Sequence, residues 1–178
     1  RREFLRQLRE QVERLGRLAT DLLDLSRLEA GSLELRPERT DLGALATTVT
    51  AEFRPALDAH DSTVEVRLPQ EPVEVHCDPD RVAQVVRILL DNAITHTPPG
   101  TDMVVSASRR NGVARVGVAD FGLGIPRAML PRIFEPFATS DDAQGSGLGL
   151  AIAHELAERM DGTLTVESHP GRTAFTLE

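Results

Sequence analysis

The residues best suited to bind a ligand lie in a segment that follows an apolar strand pattern. It reads Asp120-Phe121-Gly122-Leu123-Gly124-Ile125-Pro126. A carboxylate at the end of a buried strand, beside an Ile-Pro wall, can accept a hydrogen bond from an exocyclic amine such as that of adenine. It would repel the carbonyl oxygen that guanine carries at that place. The glycines permit backbone turns and a close ligand approach. A simple turn capped by Asp120 is the alternative interpretation.

A second glycine-rich segment, Gly145-Ser146-Gly147-Leu148-Gly149-Leu150, leads directly into the last predicted helix. Backbone N–H groups at the positive end of a helix dipole favour phosphate oxygens. The spacing differs from G-x-G-x-x-G, so a dinucleotide-binding fold is not favoured. The segment predicts a phosphate site, with a flexible loop-to-helix joint as the alternative.

A third candidate is Asn92, on a predicted helix that begins at Asp78-Pro79 and continues to about His96. An Asn amide oxygen is a suitable hard ligand for Mg²⁺, which takes few protein ligands when it bridges phosphates. A lone helical Asn is more often a surface residue. Its significance therefore depends on the two glycine-rich segments.

The composition excludes several classes of chemistry. All 20 basic residues are arginine, so a Schiff-base enzyme, a Walker A nucleotide site and a protein kinase of the lysine-dependent type are excluded. The net charge is −8 and aromatic residues make up 3% of the chain. A nucleic-acid-binding surface is usually basic and offers aromatic stacking platforms, so direct nucleic-acid binding is not expected.

A long amphipathic helix is predicted at the start of the chain, from Phe4 to Ala30. Leucine and valine recur there at alternating steps of three and four, and Gly31 stands where a left-handed cap would end the helix. One amphipathic helix cannot bury such a stripe alone, so we expect a dimeric helical bundle. A single surface helix is the alternative. Because the chain begins inside this pattern, we expect it to be a fragment.

The remainder predicts a two-layer α/β sandwich, with three helices on a mixed sheet of about five strands. Asp41 is the predicted N-cap of a helix that reaches about Ala59, after a polar connection from Ser32 to Thr40. Strands are expected at 63–68, paired with 73–77, then at 103–109 paired with 113–119, and finally at 162–168 and 173–177. A short helix is expected at 127–133 and the last long helix at about 148–160.

Five motifs together resemble bacterial two-component sensor histidine kinases, because they occur in one order along the chain. They are Asp-Leu-Leu-Asp-Leu-Ser-Arg-Leu-Glu-Ala-Gly (21–31), Leu-Leu-Asp-Asn-Ala (89–93), Asp-x-Gly-x-Gly-Ile-Pro (120–126), Ile-Phe-Glu-Pro-Phe (133–137) and Gly-Ser-Gly-Leu-Gly-Leu-Ala-Ile (145–152). The resemblance covers essentially the whole chain. It implies a second dimerisation helix at 1–31 and a catalytic ATP-binding domain of the Bergerat (GHKL) kind at 32–178.

The resemblance also implies roles for individual residues. Asn92 would be the Mg²⁺ ligand, and Asp120 would bind the adenine amino group in a pocket shaped by Gly122, Gly124 and Ile125. Phe134 and Phe137 would anchor a mobile lid at 138–144. The remaining nucleotide contacts would be His96, Gly145, Ser146, Gly147, Leu148 and Gly149.

The activity implied by the resemblance is transfer of the γ-phosphoryl group of ATP to a histidine. The phosphoryl group then passes to an aspartate on the receiver domain of a response regulator. Such proteins act as homodimers, and the implied location is the cytoplasmic part of a membrane-anchored sensor. Phosphoryl transfer depends on positioning and charge neutralisation, which suits a site of backbone donors and one metal ion.

The chain departs from the family pattern at the acceptor histidine. The family's acceptor lies on the first dimerisation helix, which would precede this chain, and is followed by an acid and a later proline. His154-Glu155 imitates it without the proline. We interpret His154 as an exposed helical residue and expect the acceptor outside the chain.

Further departures concern the metal and phosphate side. Ile88 stands where the family often has Asn or Glu, and Thr95 stands where a lysine is customary, followed by His96. The lid is acidic and contains no basic residue. Either Arg87 and Arg132 supply the missing charge, or turnover is slow.

These departures leave alternatives open. One is a nucleotide-binding regulatory or phosphatase-type module with weak or no kinase activity. Clamp ATPases and anti-sigma serine kinases share the ATP-binding fold. The former need an acid where Ile88 stands, and the latter generally lack the long leading helix.

Overall fold

The computed structural model describes residues 2–138 and 146–178. The helices are α1 (Arg2–Glu29), α2 (Leu42–Glu52), α3 (Arg54–Ala59), α4 (Pro79–His96) and α5 (Gly149–Arg159), with a 3-10 turn at Leu130–Arg132. The strands are β1 (Glu38–Asp41), β2 (Val64–Arg67), β3 (Glu74–Cys77), β4 (Met103–Arg110), β5 (Val113–Asp120), β6 (Leu164–His169) and β7 (Arg172–Leu177).

The main sheet has five strands in the order β2-β4-β5-β7-β6. β2 pairs parallel with β4, and every other pair is antiparallel, so the sheet is mixed. Helices α2, α4 and α5 pack together over this sheet. Their apolar faces and the inward residues of β4 and β5 form the core, which includes Val85, Val86, Leu90, Val105, Ile152 and Leu156. The predicted two-layer sandwich is confirmed.

The long helix α1 joins this core at its C-terminal end. Leu28 is buried, and Leu18 and Leu25 pack against the core. Gly31 ends the helix with φ +68°, as the cap pattern predicts. Much of the apolar stripe is exposed, including Phe4, Leu5, Leu8, Val12 and Leu15.

The predicted pairing of the strand at 63–68 with the strand at 73–77 is wrong. β3 pairs with β1, with Thr40 opposite Val75, and the two form a separate small sheet. β2 instead lies beside β4, with Val64 opposite Met103. The segment between β2 and β3 contains Pro69 and Pro72. Proline has no N–H to donate a hydrogen bond between strands, so the two prolines disfavour a direct hairpin between β2 and β3.

The helix predicted from Asp41 to Ala59 is two helices. Asp41 is the N-cap, and its Oδ1 accepts a hydrogen bond from Gly43 N–H at 2.9 Å. The break lies at Phe53, two residues before Pro55. Proline has no N–H to continue the helical hydrogen bonding, so the helix stops and restarts there.

The start of α4 agrees with its prediction. The Asp78 carboxylate accepts from the backbone N–H groups of Asp80 and Arg81 at 3.1 Å each, and Pro79 occupies the first turn. Among the helices that the structure describes, none combines the length and apolar character needed to cross a membrane.

Candidate functional site

A cavity of about 350 Å³ lies where α1, α4 and the start of α5 meet. This volume is within the usual range for small-molecule sites. The lining combines charged, polar, apolar and glycine residues, and includes five of the predicted site residues: Asn92, His96, Ser146, Gly147 and Gly149.

Asn92 is partly buried on α4, beside the exposed Asp91, and both line the cavity. Ile88 lies one turn earlier and also lines it. A Cβ atom built on Gly149 would lie 3.3 Å from Ile88 Cγ2, so α4 and the first residue of α5 are in close contact. Ile88 therefore contributes an apolar contact where a polar ligand was expected.

The N-terminus of α5 opens onto this cavity. Leu148 is the N-cap residue, and within the described chain no side chain caps the helix there. Gly147 adopts φ +72°, a conformation that favours glycine, and Gly149 and Leu150 line the cavity. The first N–H groups of a helix have no intrahelical partner, so they are available to an anion in the cavity.

Ser146 connects this loop to α1. Its hydroxyl donates to Asp21 Oδ2 at 2.8 Å and accepts from Leu148 N–H at 3.2 Å. Burial raises the pKa of Asp21, the Ser146 hydrogen bond opposes this, and nearby Asp24 and Asp91 raise the pKa further. Asp21 and Arg17 also line the cavity and were not predicted as site residues from the sequence. Their spacing of four residues on the polar face of α1 was the available signal.

Asp120 is buried at the end of β5 and is 7% exposed. Its Oδ1 accepts from Gly122 N–H at 3.0 Å. Burial raises the pKa of this carboxyl, and the Gly122 hydrogen bond partly offsets the increase. In the β5–β7 ladder Asp120 lies opposite Thr173, which is 4% exposed and which the sequence analysis did not identify.

The glycines after Asp120 are required by close packing. A Cβ on Gly122 would lie 2.7 Å from Thr97 Cγ2, just past the end of α4. Gly124 has φ +82°, and a Cβ there would lie 2.5 Å from the His169 carbonyl oxygen. Ile125 N–H donates to Ser168 Oγ at 2.8 Å. These contacts fix the loop against α4 and β6.

His96 ends α4 and lines the cavity. Partial burial lowers the pKa of its imidazole, and the charges of Asp91 and Asp120 oppose that change. Because His96 lines the cavity and the next residue, Thr97, packs on Gly122, the two parts of the predicted site meet at this end of α4.

The two phenylalanines differ in their contacts. Phe134 stacks on His154 with ring centroids 4.8 Å apart and meets Phe175 edge-on at 6.3 Å. The interpretation of His154 as an exposed residue is therefore wrong, because this stacking half-buries it. The Phe137 ring is 60% exposed, but its N–H donates to the Gly147 carbonyl oxygen at 2.8 Å. Of the predicted lid, 139–144 lies outside the described residues.

Several predicted residues lie away from the cavity lining. Leu148 is fully buried, and Gly145 falls outside the described residues. Arg132 pairs with Glu135 at 2.8 Å, whereas Arg87 lines the cavity while pairing with Glu52. The other predicted residues outside the lining are Asp120, Gly122, Gly124, Ile125 and Phe137.

The donor set fits a nucleotide polyphosphate with a divalent cation. Uncapped N–H groups at the α5 N-terminus suit phosphate oxygens, and the Asn92 amide oxygen suits Mg²⁺. The buried Asp120 carboxylate suits an amine-bearing base. These residues would hold the base at the end of α4 and the phosphates in the adjoining cavity.

Comparison with known proteins shows the family and the fold. Residues 77–178 match the family described as histidine kinase-, DNA gyrase B-, and HSP90-like ATPase. The probable sensor histidine kinase TcrY of Mycobacterium tuberculosis is 39% identical over 173 residues, covering 94% of this chain and 36% of that protein. This chain thus spans little more than a third of that relative.

Two solved structures share the fold. The histidine kinase AdeS of Acinetobacter baumannii has a TM-score of 0.81 and 31% identity, covering 97% of this chain and 81% of that one. Full-length ShkA, in complex with AMPPNP, has a TM-score of 0.85 and 28% identity, covering 99% of this chain and 38% of that one. The chain belongs to the histidine kinase-, DNA gyrase B- and HSP90-like ATPase family, within its sensor histidine kinase members.

Proposed function

We propose that this chain is the ATP-binding core of a two-component sensor histidine kinase. It binds Mg²⁺-ATP and donates the γ-phosphoryl group to a histidine outside the chain, for transfer to a response-regulator receiver domain. Membership of the ATPase family and similarity to named sensor histidine kinases support this activity. The similarity to ShkA, solved with AMPPNP, supports the nucleotide.

The observation that carries the proposal is the shared position of two chemically different sites at one end of α4. The buried Asp120 carboxylate contacts Gly122, which packs on Thr97 just past the end of α4. The cavity with Asn92 and the α5 N-terminus lies along the same helix. An adenine nucleotide needs this combination of a base-recognising acid and phosphate-binding amides.

In this proposal each group has a positioning role. The Asp120 carboxylate accepts a hydrogen bond from the adenine amino group, while Gly122 N–H fixes the carboxylate's orientation. The N–H groups at the start of α5 bind phosphate oxygens, and Asn92 binds Mg²⁺ through its amide oxygen. When bound, Mg²⁺ neutralises charge on the phosphates during transfer.

We also propose the domain boundaries and the assembly. Residues 1–31 form the second helix of a dimerisation hairpin, and 32–178 form the ATP-binding domain, in the cytoplasmic part of a membrane-anchored sensor. The exposed apolar stripe of α1, which includes Leu8, Val12 and Leu15, supports a homodimer in the full-length protein.

The test is phosphoryl labelling of the full-length protein with γ-labelled ATP and Mg²⁺. We expect an acid-labile, alkali-stable label, as phosphohistidine gives, and its loss in Asn92→Ala. The control is His154→Gln. It should keep the label, because His154 lies on α5 and its ring stacks on Phe134. Loss of the label in His154→Gln with nucleotide binding intact, or a label stable to acid, would contradict the proposal.

A further inference from the structure

Two carboxylates line the cavity in which the phosphates are expected to bind. Asp21 and Asp91 both line the cavity, and the charge of Asp91 raises the pKa of Asp21. Like charges repel, so a triphosphate beside these carboxylates would be stabilised by a basic side chain in addition to the proposed Mg²⁺. The predicted lid supplies none, and the chain has no lysine.

Among the described residues, two arginines line the cavity, Arg17 and Arg87. Arg87 is engaged by Glu52, which accepts from its Nε at 2.7 Å and from its second terminal nitrogen at 2.9 Å. This bidentate pair satisfies the Arg87 charge and directs it toward α2. Arg17, on α1, has an exposed side chain, and its charge lowers the pKa of Asp21.

Hydrogen bonds attach α1 to the rest of the chain near the point where Arg17 lines the cavity. The Ser146–Asp21 hydrogen bond lies one helical turn after Arg17. Gln84 Nε2 donates to Asp24 Oδ2 at 3.5 Å, and Arg159 donates to the Leu28 carbonyl oxygen. Leu28 itself is buried. These contacts place the Arg17 position beside Ser146 and Gly147, at the predicted phosphate end.

We propose that Arg17 of the long helix is a phosphate-binding residue of this nucleotide site. It replaces the basic group that the lid lacks, and it makes the site dependent on docking of α1. A guanidinium can bind two phosphate oxygens at once and is never deprotonated near neutral pH. The inference rests on the proposed function and identifies which element completes the phosphate side.

The test compares the binding of adenosine, ADP and a non-hydrolysable ATP analogue by calorimetry, using wild type, Arg17→Gln, Arg17→Lys and Arg27→Gln. Arg27 is the matched control, because it is exposed on the same helix and lies outside the cavity lining. We expect Arg17→Gln to weaken the ATP analogue about tenfold, ADP less, and adenosine not at all. Arg17→Lys should recover part of the loss, and Arg27→Gln should match wild type.

The outcomes separate this inference from the proposed function. Unchanged binding of the ATP analogue by Arg17→Gln, with normal wild-type binding, would overturn the role of Arg17 alone. Equal weakening of all three ligands would also overturn it, because that pattern indicates a structural effect. Failure of wild type to bind any of the three would overturn the proposed function and this inference together.

Discussion

The Ser146 hydroxyl donates a 2.8 Å hydrogen bond to the Asp21 carboxylate, across a separation of 125 residues. Ser146 belongs to the glycine-rich loop before α5, and Asp21 belongs to α1. The same hydroxyl accepts from Leu148 N–H, so one side chain orders the loop and attaches it to the long helix. The long helix is therefore part of the wall of the site.

Asp21→Asn tests the electrostatic state of this link. Burial raises the pKa of Asp21 above 3.8, so the folded state binds its proton more tightly than the unfolded state does. Stability from this group is present at low pH and decreases as pH rises through the folded-state pKa. Asn keeps an oxygen acceptor without the charge. We expect Asp21→Asn to be more stable than wild type at pH 7, by less than about 1 kcal/mol because solvent screens a half-buried group.

The measurement for Asp21 is denaturant unfolding of both proteins at several pH values. The stability difference should reach its minimum below pH about 3, where the wild-type carboxyl is protonated in both states. Ser146→Ala is the companion variant, and it should lose stability because it removes the acceptor of Leu148 N–H. A stability difference that does not change with pH would contradict the raised pKa.

Gly124→Ala should destabilise the chain strongly. Gly124 has φ +82°, and the new Cβ would lie 2.5 Å from a backbone oxygen, that of His169. We expect a loss of at least about 3 kcal/mol, from strain plus the clash. Gly171→Ala is the matched control, since Gly171 has φ +91° with nothing within 4 Å of the added atom. It should cost about 1 kcal/mol. Thermal unfolding of both variants checks this, and equal losses would contradict the packing argument.

Asn92→Ala should remove most of the effect of Mg²⁺ on nucleotide binding while leaving metal-free binding nearly unchanged. The reason is that its amide oxygen is the proposed metal ligand, whereas Asp120 acts on the base. Ile88→Asn tests the neighbouring departure from the family pattern. It should increase the Mg²⁺ effect, because it restores a polar group one turn before Asn92. Calorimetry with and without Mg²⁺ measures both changes, and an undiminished Mg²⁺ effect in Asn92→Ala would remove it as the ligand.

His96 should titrate below its ordinary pKa of 6.5, because partial burial disfavours the charged ring. Asp91 and Asp120 oppose this, so Asp120→Asn should lower the pKa of His96 further. Since the folded state holds the proton less tightly, the associated stability is present above pH 6.5 and is lost as pH falls below that value and through the lower folded-state pKa. NMR titration of the imidazole measures this directly. A His96 pKa that rises in Asp120→Asn would contradict the coupling.

Local patterns in the sequence were sufficient where short-range chemistry decides the structure. Caps at Asp41 and Asp78, the hairpin of β4 and β5, and the glycine at the end of α1 all follow from neighbouring residues. The order of the five motifs along the chain indicated the family, and the family match of residues 77–178 confirms it.

The features that the sequence analysis missed depend on distant contacts. β3 pairs with β1 across a separation of more than 30 residues, and alternation alone does not specify the partner of a short strand. His154 is half-buried because Phe134 stacks on it. Arg17 and Asp21 appear as ordinary polar residues of an amphipathic helix until that helix is docked beside Ser146.

The central claim is that Asp120 selects adenine in a nucleotide site, and isothermal titration tests it most directly. Non-hydrolysable ATP and GTP analogues would be titrated into wild type and Asp120→Asn with Mg²⁺ present. The account predicts that wild type binds the ATP analogue and not the GTP analogue, and that Asp120→Asn loses at least about tenfold in ATP-analogue affinity. Equal binding of the two analogues by wild type, or unchanged affinity in a folded Asp120→Asn, would contradict it.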